Sequence, residues 1–247
     1  MKIVILQPGY LPWLGFFDLM RRSDIFLIFD DVQYTVRDWR SRNRIKTPHG
    51  AMWLTVPVKS ADARKKLIRD VKIDNTKPWQ KKHFKSLKSF YSRAKYFKEI
   101  MELINGIYKR NYTFLIDVDM DIILKIKEYL PLESSIYFSS EIPSAGQKNE
   151  KLLSICKFLN TTRYLSGNSA KNYLKESFFT DEGITVEWHN YQHPYYNQLW
   201  LKEQGFISHL SIIDLLFNHG PESLAILAGQ KVIPAPDGVK IRHADEA

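Results

Sequence analysis

The chain has 247 residues, 44% hydrophobic and 26% charged, with 11 glycines, 11 prolines and one cysteine. That composition suits a globular chain able to bury a sizeable core, and it excludes the low-complexity and disulfide-stapled classes. The 36 basic and 27 acidic residues leave a formal charge of +9, which favours anionic partners such as nucleic acid, phosphorylated metabolites or acidic lipid.

Most of the basic excess falls between Arg37 and Arg110, whereas Thr113 to Asp121 is acidic. No apolar run reaches the length of a membrane span. Pro8, Pro12 and Asp18 interrupt the apolar core a signal peptide needs, so a cytoplasmic location is expected. Cys156, being alone, rules out an internal disulfide and a Cys-based zinc site. No metal and no cofactor is expected.

Ile3 to Leu6 is a short apolar run, and Gln7-Pro8-Gly9-Tyr10 stops it. Pro12 suits a helix's first turn, and Trp13, Phe16, Phe17 and Met20 follow at helical spacing. Ile25 to Phe29 is a second continuous apolar run, the pattern of a strand buried on both faces. Strand, helix and strand make a βαβ unit. The basic string Arg37, Arg40, Arg42, Arg44, Lys46 comes next, then a strand over 51–58 and a half-buried strand over 68–73. Asn75 or Thr76 is expected to cap a helix with Pro78 in its first turn. Two helices, broken at Ser92 to Ala94, fill 79–110, and 112–129 is a third. Further strands are expected at 136–139, 163–165 and 184–188. Helices are expected from Asn149 to Leu159 and from Ile212 to Asn218, the last capped by Ser211. The alternation predicts a single α/β domain over 1–230, Rossmann-like with a mostly parallel sheet. Residues 75–130 form a mostly helical insertion, and 231–247 a tail.

In such sheets ligands bind at the carboxyl ends of strands, so the candidate site gathers Gln7 and Tyr10 after the first strand and Asp30 and Asp31 after the second. Adjacent residues at a strand end point to opposite sides; one aspartate caps local backbone and the other faces the cleft, as a general base or a sugar-hydroxyl acceptor. Arg42 and Arg44, flanking Asn43, share one face of an extended segment and can grip a diphosphate. The run Ser166-Gly167-Asn168-Ser169-Ala170-Lys171 follows a strand and opens into a helical turn, which suits an anion, although it also reads as a plain strand-to-helix turn. Tyr10, Trp13 and Trp39 supply walls. His193, in a loop with Tyr195 and Tyr196, is the second candidate proton acceptor beside Asp30. His83 reads as a core histidine. His189 and His193 lack a third partner for zinc.

The phrases QPGYLPWLGFF, DDVQY, RDWRSRNRIK, WLTVPV, YLSGNSAKNYL, HPYYNQ and HLSIIDLLFNHG, in that order over Met1 to Pro221, resemble the WbqC-like protein family. The resemblance implies bacterial surface-polysaccharide biosynthesis, including O-antigen and lipopolysaccharide. It implies a transferase that joins an N-acyl or aminoacyl (glycyl) group to the amine of a nucleotide-linked amino sugar. Two other classes stay open: a non-catalytic nucleotide-sugar or protein binding module, and an enzyme taking its group from aminoacyl-tRNA. The opening strand, Pro-rich turn and helix also resemble HIGH-type nucleotidyltransferases, but no histidine lies between Tyr10 and Phe17, so adenylation is not expected.

Overall fold

The computed structural model describes residues 1–59 and 63–244. In chain order these form β1 (Lys2–Leu6), α1 (Leu14–Arg21), β2 (Ile25–Ile28), β3 (Arg42–Thr47), β4 (Gly50–Thr55), α2 (Trp79–Tyr91), α3 (Phe97–Lys109), α4 (Leu115–Tyr129), β5 (Ser135–Phe138), α5 (Asn149–Phe158), β6 (Arg163–Ser166), α6 (Ser177–Thr180), β7 (Thr185–Trp188), α7 (Leu201–Gln204), β8 (Phe206–Ser208), α8 (Ile212–His219), α9 (Ser223–Leu227) and β9 (Ile241–His243), with short 3-10 turns between them. The fold is mixed α/β with a central, parallel five-stranded sheet. The chain divides into two compact units.

The first unit comprises Met1–Pro8, Asp18–Val32 and Leu132–Gln192. Its sheet runs β5-β2-β1-β6-β7. Continuous apolar runs make the inner strands: Phe26, Leu27 and Ile28 of β2 are wholly buried, each contributing roughly 1.5–3 kcal/mol of burial. Ile3, Ile5, Ile25 and Leu27 pack with Leu152, Ile155 and Cys156 of α5 and with Tyr164, Phe179 and Ile184. Strands β1 and β2 stay in register from Ile3↔Ile25 to Leu6↔Ile28. By contrast β1 and β6 pair only at Lys2↔Arg163 and Ile3↔Tyr164.

The second unit comprises Gly9–Phe17, Gln33–Pro131 and His193–Ala247. An antiparallel hairpin joins β3 to β4, closed at Thr47↔Gly50. Helices α2, α3 and α4 pack in sequence, and α3 also meets α8. The expected helical insertion and the hairpin thus share this unit with the C-terminal segments.

Some local expectations need correcting. Residues 68–73 form a 3-10 turn (Ile68–Asp70) followed by isolated bridges at Lys72 and Ile73, not a strand. Ile68, Val71 and Ile73 are buried, but at spacings of three and then two residues, because the segment is irregular. Pro78, not Asn75 or Thr76, precedes α2, and Thr76 bonds Asp74 instead. Asn149 is the first residue of α5, and its side chain donates to the Tyr173 carbonyl. Ser211 does cap α8, accepting from the Ile213 N–H. Beyond residue 230, β9 pairs in parallel with β8 and Ala244 is buried; residues 245–247 lie outside the described part.

Candidate functional site

In the first unit the carboxyl edge of the parallel sheet carries half of the expected residues, and the other half fall in the second unit. Gln7 follows β1, and its side-chain carbonyl oxygen is buried without a hydrogen-bond partner among the described residues. Asp30 and Asp31 follow β2 and divide their work. Asp30 is buried and accepts from the Ser140 N–H (3.0 Å) and the Ser140 hydroxyl (2.7 Å), with the Ser139 hydroxyl at 3.0 Å. It thereby fixes the 3-10 turn Ser139–Glu141 that follows β5. Asp31 pairs with Lys151 of α5 at 2.6 Å and also receives the Ser139 hydroxyl. Ser139 has one proton, so it serves one carboxylate at a time. Burial resists ionisation of Asp31, but the Lys151 ammonium and Ser139 outweigh it and hold the carboxyl below its ordinary value. Such a group anchors a ligand better than it abstracts a proton.

The Ser166–Lys171 segment joins the same edge. The His189 N–H donates to the Ser166 carbonyl (2.9 Å), which ties the ends of β6 and β7. Gly167 has an extended backbone, and a Cβ there would meet nothing within 4 Å. The following 3-10 turn, Asn168–Asn172, is one short turn, too brief to sum a macrodipole. Any hold on an anion therefore comes from the Ser169 hydroxyl and Lys171, whose ammonium lies 5.3 Å from the Trp188 ring.

The sequence reading missed a buried pair beside this edge. Asp18 of α1 meets the His189 Nε2 at 2.8 Å and the Arg21 guanidinium at 2.8 Å. Burial opposes charge on Asp18, but His189 and Arg21 prevail and lower its pKa. Nothing local marks the pair, because Asp18 and His189 are 171 residues apart.

The second unit brings four of the resembling phrases together. The Asn43 Nδ2 donates to the Leu11 carbonyl (2.7 Å). The N–H of Tyr10 donates to the Trp39 carbonyl, that of Ser211 to the Arg44 carbonyl and that of Ile212 to the Pro12 carbonyl. Gly9 is required here: a Cβ would lie 2.8 Å from the Trp39 carbonyl oxygen. The Trp13 indole covers Gly15, where a Cβ would fall 2.2 Å from the ring. That placement lets Trp13 stack on His209 (5.5 Å, 19°). The rings of His193 and His243 lie 4.8 and 4.2 Å from His209, whose φ of 58° is left-handed and strained.

Tyr10 is not a wall. It is fully buried, its hydroxyl 2.8 Å from His83 Nδ1 and 2.6 Å from the Tyr108 hydroxyl. Burial pushes His83 down to about 4 although the Thr55 carbonyl works the other way. The neutral ring gives its N–H to Thr55, so Nδ1 accepts from Tyr10, and Tyr10 in turn accepts from Tyr108.

Of the basic string, Arg42, Arg44 and Lys46 lie on β3, which is buried from Asn43 to Thr47, while Arg37 and Arg40 precede it. Asn43 is spent on Leu11 and on the Arg44 N–H. Arg44 is buried and donates to the Ala244 carbonyl. Arg42 is partly exposed, donates to the Arg37 carbonyl and lies 4.1 Å over the Trp53 ring. Trp39 and Trp53 are 42% and 38% exposed with centroids 5.4 Å apart, and the Arg44 guanidinium lies 5.1 and 4.6 Å from them. The result is an open indole pair backed by two guanidiniums, with Trp53 the member the sequence did not single out. Lys46 is wholly buried, bonded to Gln198 Oε1 (2.9 Å) and the Gly205 carbonyl, and burial lowers its pKa to about 8 against the pull of Asp214 and Glu203. Asp214 accepts from Tyr91 (2.6 Å) and Tyr196 (2.9 Å).

His193 Nδ1 donates to the Pro194 carbonyl (2.9 Å), making Nε2 the ring's acceptor. Burial, with His209 and His243 nearby, depresses its pKa to about 3. Among the described residues no group of three or more His, Cys, Asp or Glu side chains is arranged to hold a metal, and no helix is long and apolar enough to cross a membrane. The family model for the WbqC-like protein family matches residues 7–226. Uncharacterized protein Rv1507c of Mycobacterium tuberculosis is 40% identical over 224 residues, covering 90% of this chain and 95% of the relative. No solved structure matches.

Proposed function

The chain belongs to the WbqC-like protein family, and on that premise we propose that it is a transferase of bacterial surface-polysaccharide biosynthesis, acting in the cytoplasm on the amine of a nucleotide-linked amino sugar. The observation that carries the reading is the Trp39–Trp53 pair over Arg42 and Arg44. Flat apolar faces bind the face of a pyranose or a base, and base–aromatic stacking contributes about 1–3 kcal/mol. Arg42, the partly exposed guanidinium, supplies the charge for a phosphate.

In the reaction the amine attacks the acyl carbonyl, an amide C–N bond forms and the bond to the donor's leaving group breaks. The amine's proton passes to His193 and the leaving group takes a proton in turn. His193 is neutral at every pH above about 3, so it is ready as an acceptor yet weak in drive; rate must come mainly from positioning. Asp30 loses the catalytic role to its turn-fixing bonds. In the first unit, the order β5-β2-β1-β6-β7 supports a Rossmann-like reading whose switch point lies where β1 and β6 part. Gln7, Asp31, Ser166, Ser169 and Lys171 at that edge are proposed as polar ligands.

The test is calorimetry of the intact protein against a panel of nucleotide-linked amino sugars. Trp53→Ala should weaken binding about tenfold, the size of one stacking contact, with an unchanged melting temperature. Absence of binding across the panel, or equal affinity in the variant, would refute the proposal.

A further inference from the structure

The chain's charge is spread unevenly. Of its 36 basic and 27 acidic residues, eight basic and no acidic ones lie between Lys77 and Lys98, leaving 28 against 27 elsewhere. This stretch, which holds α2 and the turn into α3, thus carries a local charge of +8 with no acidic residue in it. Helix α2 buries Trp79, His83, Leu87 and Tyr91. Its opposite face presents Lys81, Lys82, Lys85 and Lys88, all exposed. None of these four makes an ion pair among the described residues, whereas Lys77 reaches Asp74 at 3.4 Å. Like charges one helical turn apart repel, which destabilises an isolated helix by a few tenths of a kcal/mol per pair. That repulsion is retained here with no carboxylate placed to relieve it.

We propose that this face is a docking surface for the phosphate backbone of a nucleic acid. Lys81, Lys85 and Lys88 advance along the axis by about 6 and then 4.5 Å, so one strand's successive phosphates can meet successive lysines. Where the chain enters α2, a pocket of about 250 Å³ is lined by Lys59, Lys72, Ile73, Asn75, Thr76 and Thr113. Two ammonium groups, two hydroxyls and an amide suit a phosphate rather than an apolar group. The surface is also unlike a lipid-binding one: no large apolar side chain of α2 or α3 is among the exposed ones, and membrane-surface helices need such residues to insert. The proposal uses none of the residues of the Trp39–Trp53 platform, and it accommodates a donor carried on tRNA.

The test uses fluorescence anisotropy with the intact protein and three probes: a labelled deacylated tRNA mixture, a labelled DNA duplex and phosphatidylglycerol vesicles. Binding to tRNA or duplex should weaken with salt with a log–log slope of about −3 to −4, as four phosphate contacts require. The triple variant Lys81→Glu, Lys85→Glu, Lys88→Glu should lose at least 30-fold in affinity and lower the slope by about 2 to 3, with an unchanged circular dichroism spectrum and melting temperature. Lys157→Glu, Lys175→Glu, Lys202→Glu, which changes the net charge equally elsewhere, should stay within about threefold. Equal losses in the two triple variants would overturn the proposal by assigning binding to net charge alone. Vesicle binding without nucleic-acid binding, or no binding of either nucleic acid at 50 mM salt, would also overturn it. Nucleotide-sugar calorimetry on the first triple variant should be unchanged, which keeps this result apart from the transferase test.

Discussion

Lys46 gives a quantitative handle on the second unit. It is wholly buried, and burial lowers its pKa from 10.5 to about 8. At this residue the unfolded chain therefore binds more protons than the folded one between those values, so the lysine's contribution to stability climbs as pH rises through that window. At 1.36 kcal/mol per unit, the gain from pH 7 to 9.5 is about 2 kcal/mol. The buried Cys156 thiol, pushed from 9.0 up to about 12, opposes the rise from about pH 8.5, and the buried tyrosines Tyr10 and Tyr91, whose pKa values burial raises, oppose it above about pH 10; the difference between wild type and a variant without the lysine isolates Lys46. The perturbation is Lys46→Met, which keeps most of the volume and removes the titrating group. Urea unfolding at half-unit pH steps, read by tryptophan fluorescence, yields the free energy from midpoint and slope. The wild type should gain about 2 kcal/mol relative to Lys46→Met over the same range. Matching pH profiles in the two proteins would show that Lys46 is charged and solvated like a surface lysine, and the reasoning would fail.

Two other outcomes follow from the same accounting of buried groups. Tyr10→Phe removes the hydroxyl between Tyr108 and His83, leaving two buried groups unpaired at about 1–3 kcal/mol; chemical denaturation should show that loss, and a loss under 0.5 kcal/mol would mean that water replaces the hydroxyl. His83 is itself held neutral, with a folded pKa of about 4, so it should contribute stability that is lost as pH falls from its unfolded value of 6.5 toward 4; His83→Gln should flatten that part of the acid limb. Gly9→Ala should be far worse than an ordinary surface change, because the Cβ meets backbone 2.8 Å away at the Trp39 carbonyl; a thermal melt within 1 °C of wild type would contradict the close approach.

The strands of the parallel sheet were legible because burial on both faces leaves a continuous apolar signature in Ile3 to Leu6 and Ile25 to Ile28. The helices of 79–129 were legible for the complementary reason, since their apolar stripes recur at 3.6 residues. The fate of β3 was not legible. A segment reading Arg-Asn-Arg-Ile-Lys looks like an open grip for a diphosphate, yet Arg44 and Lys46 are buried. Their partners are carbonyl oxygens and an amide at sequence separations of 200, 159 and 152, and no local pattern carries such pairings. The choice between Asp30 and Asp31 was hidden likewise, because Ser139, Ser140 and Lys151 decide it from more than 100 residues away. Strand β9 was missed because three residues edged by prolines and charges carry no period to detect.

Each compact unit is threaded from three stretches of chain, so the polypeptide passes from one to the other five times between its ends. No single cut separates them: a fragment ending at Pro131 would keep two strands of the parallel sheet and discard three. Gene fusion or excision could not have assembled this protein by adding one half to the other end to end. Neither part can be expressed by itself as one unbroken stretch of this chain.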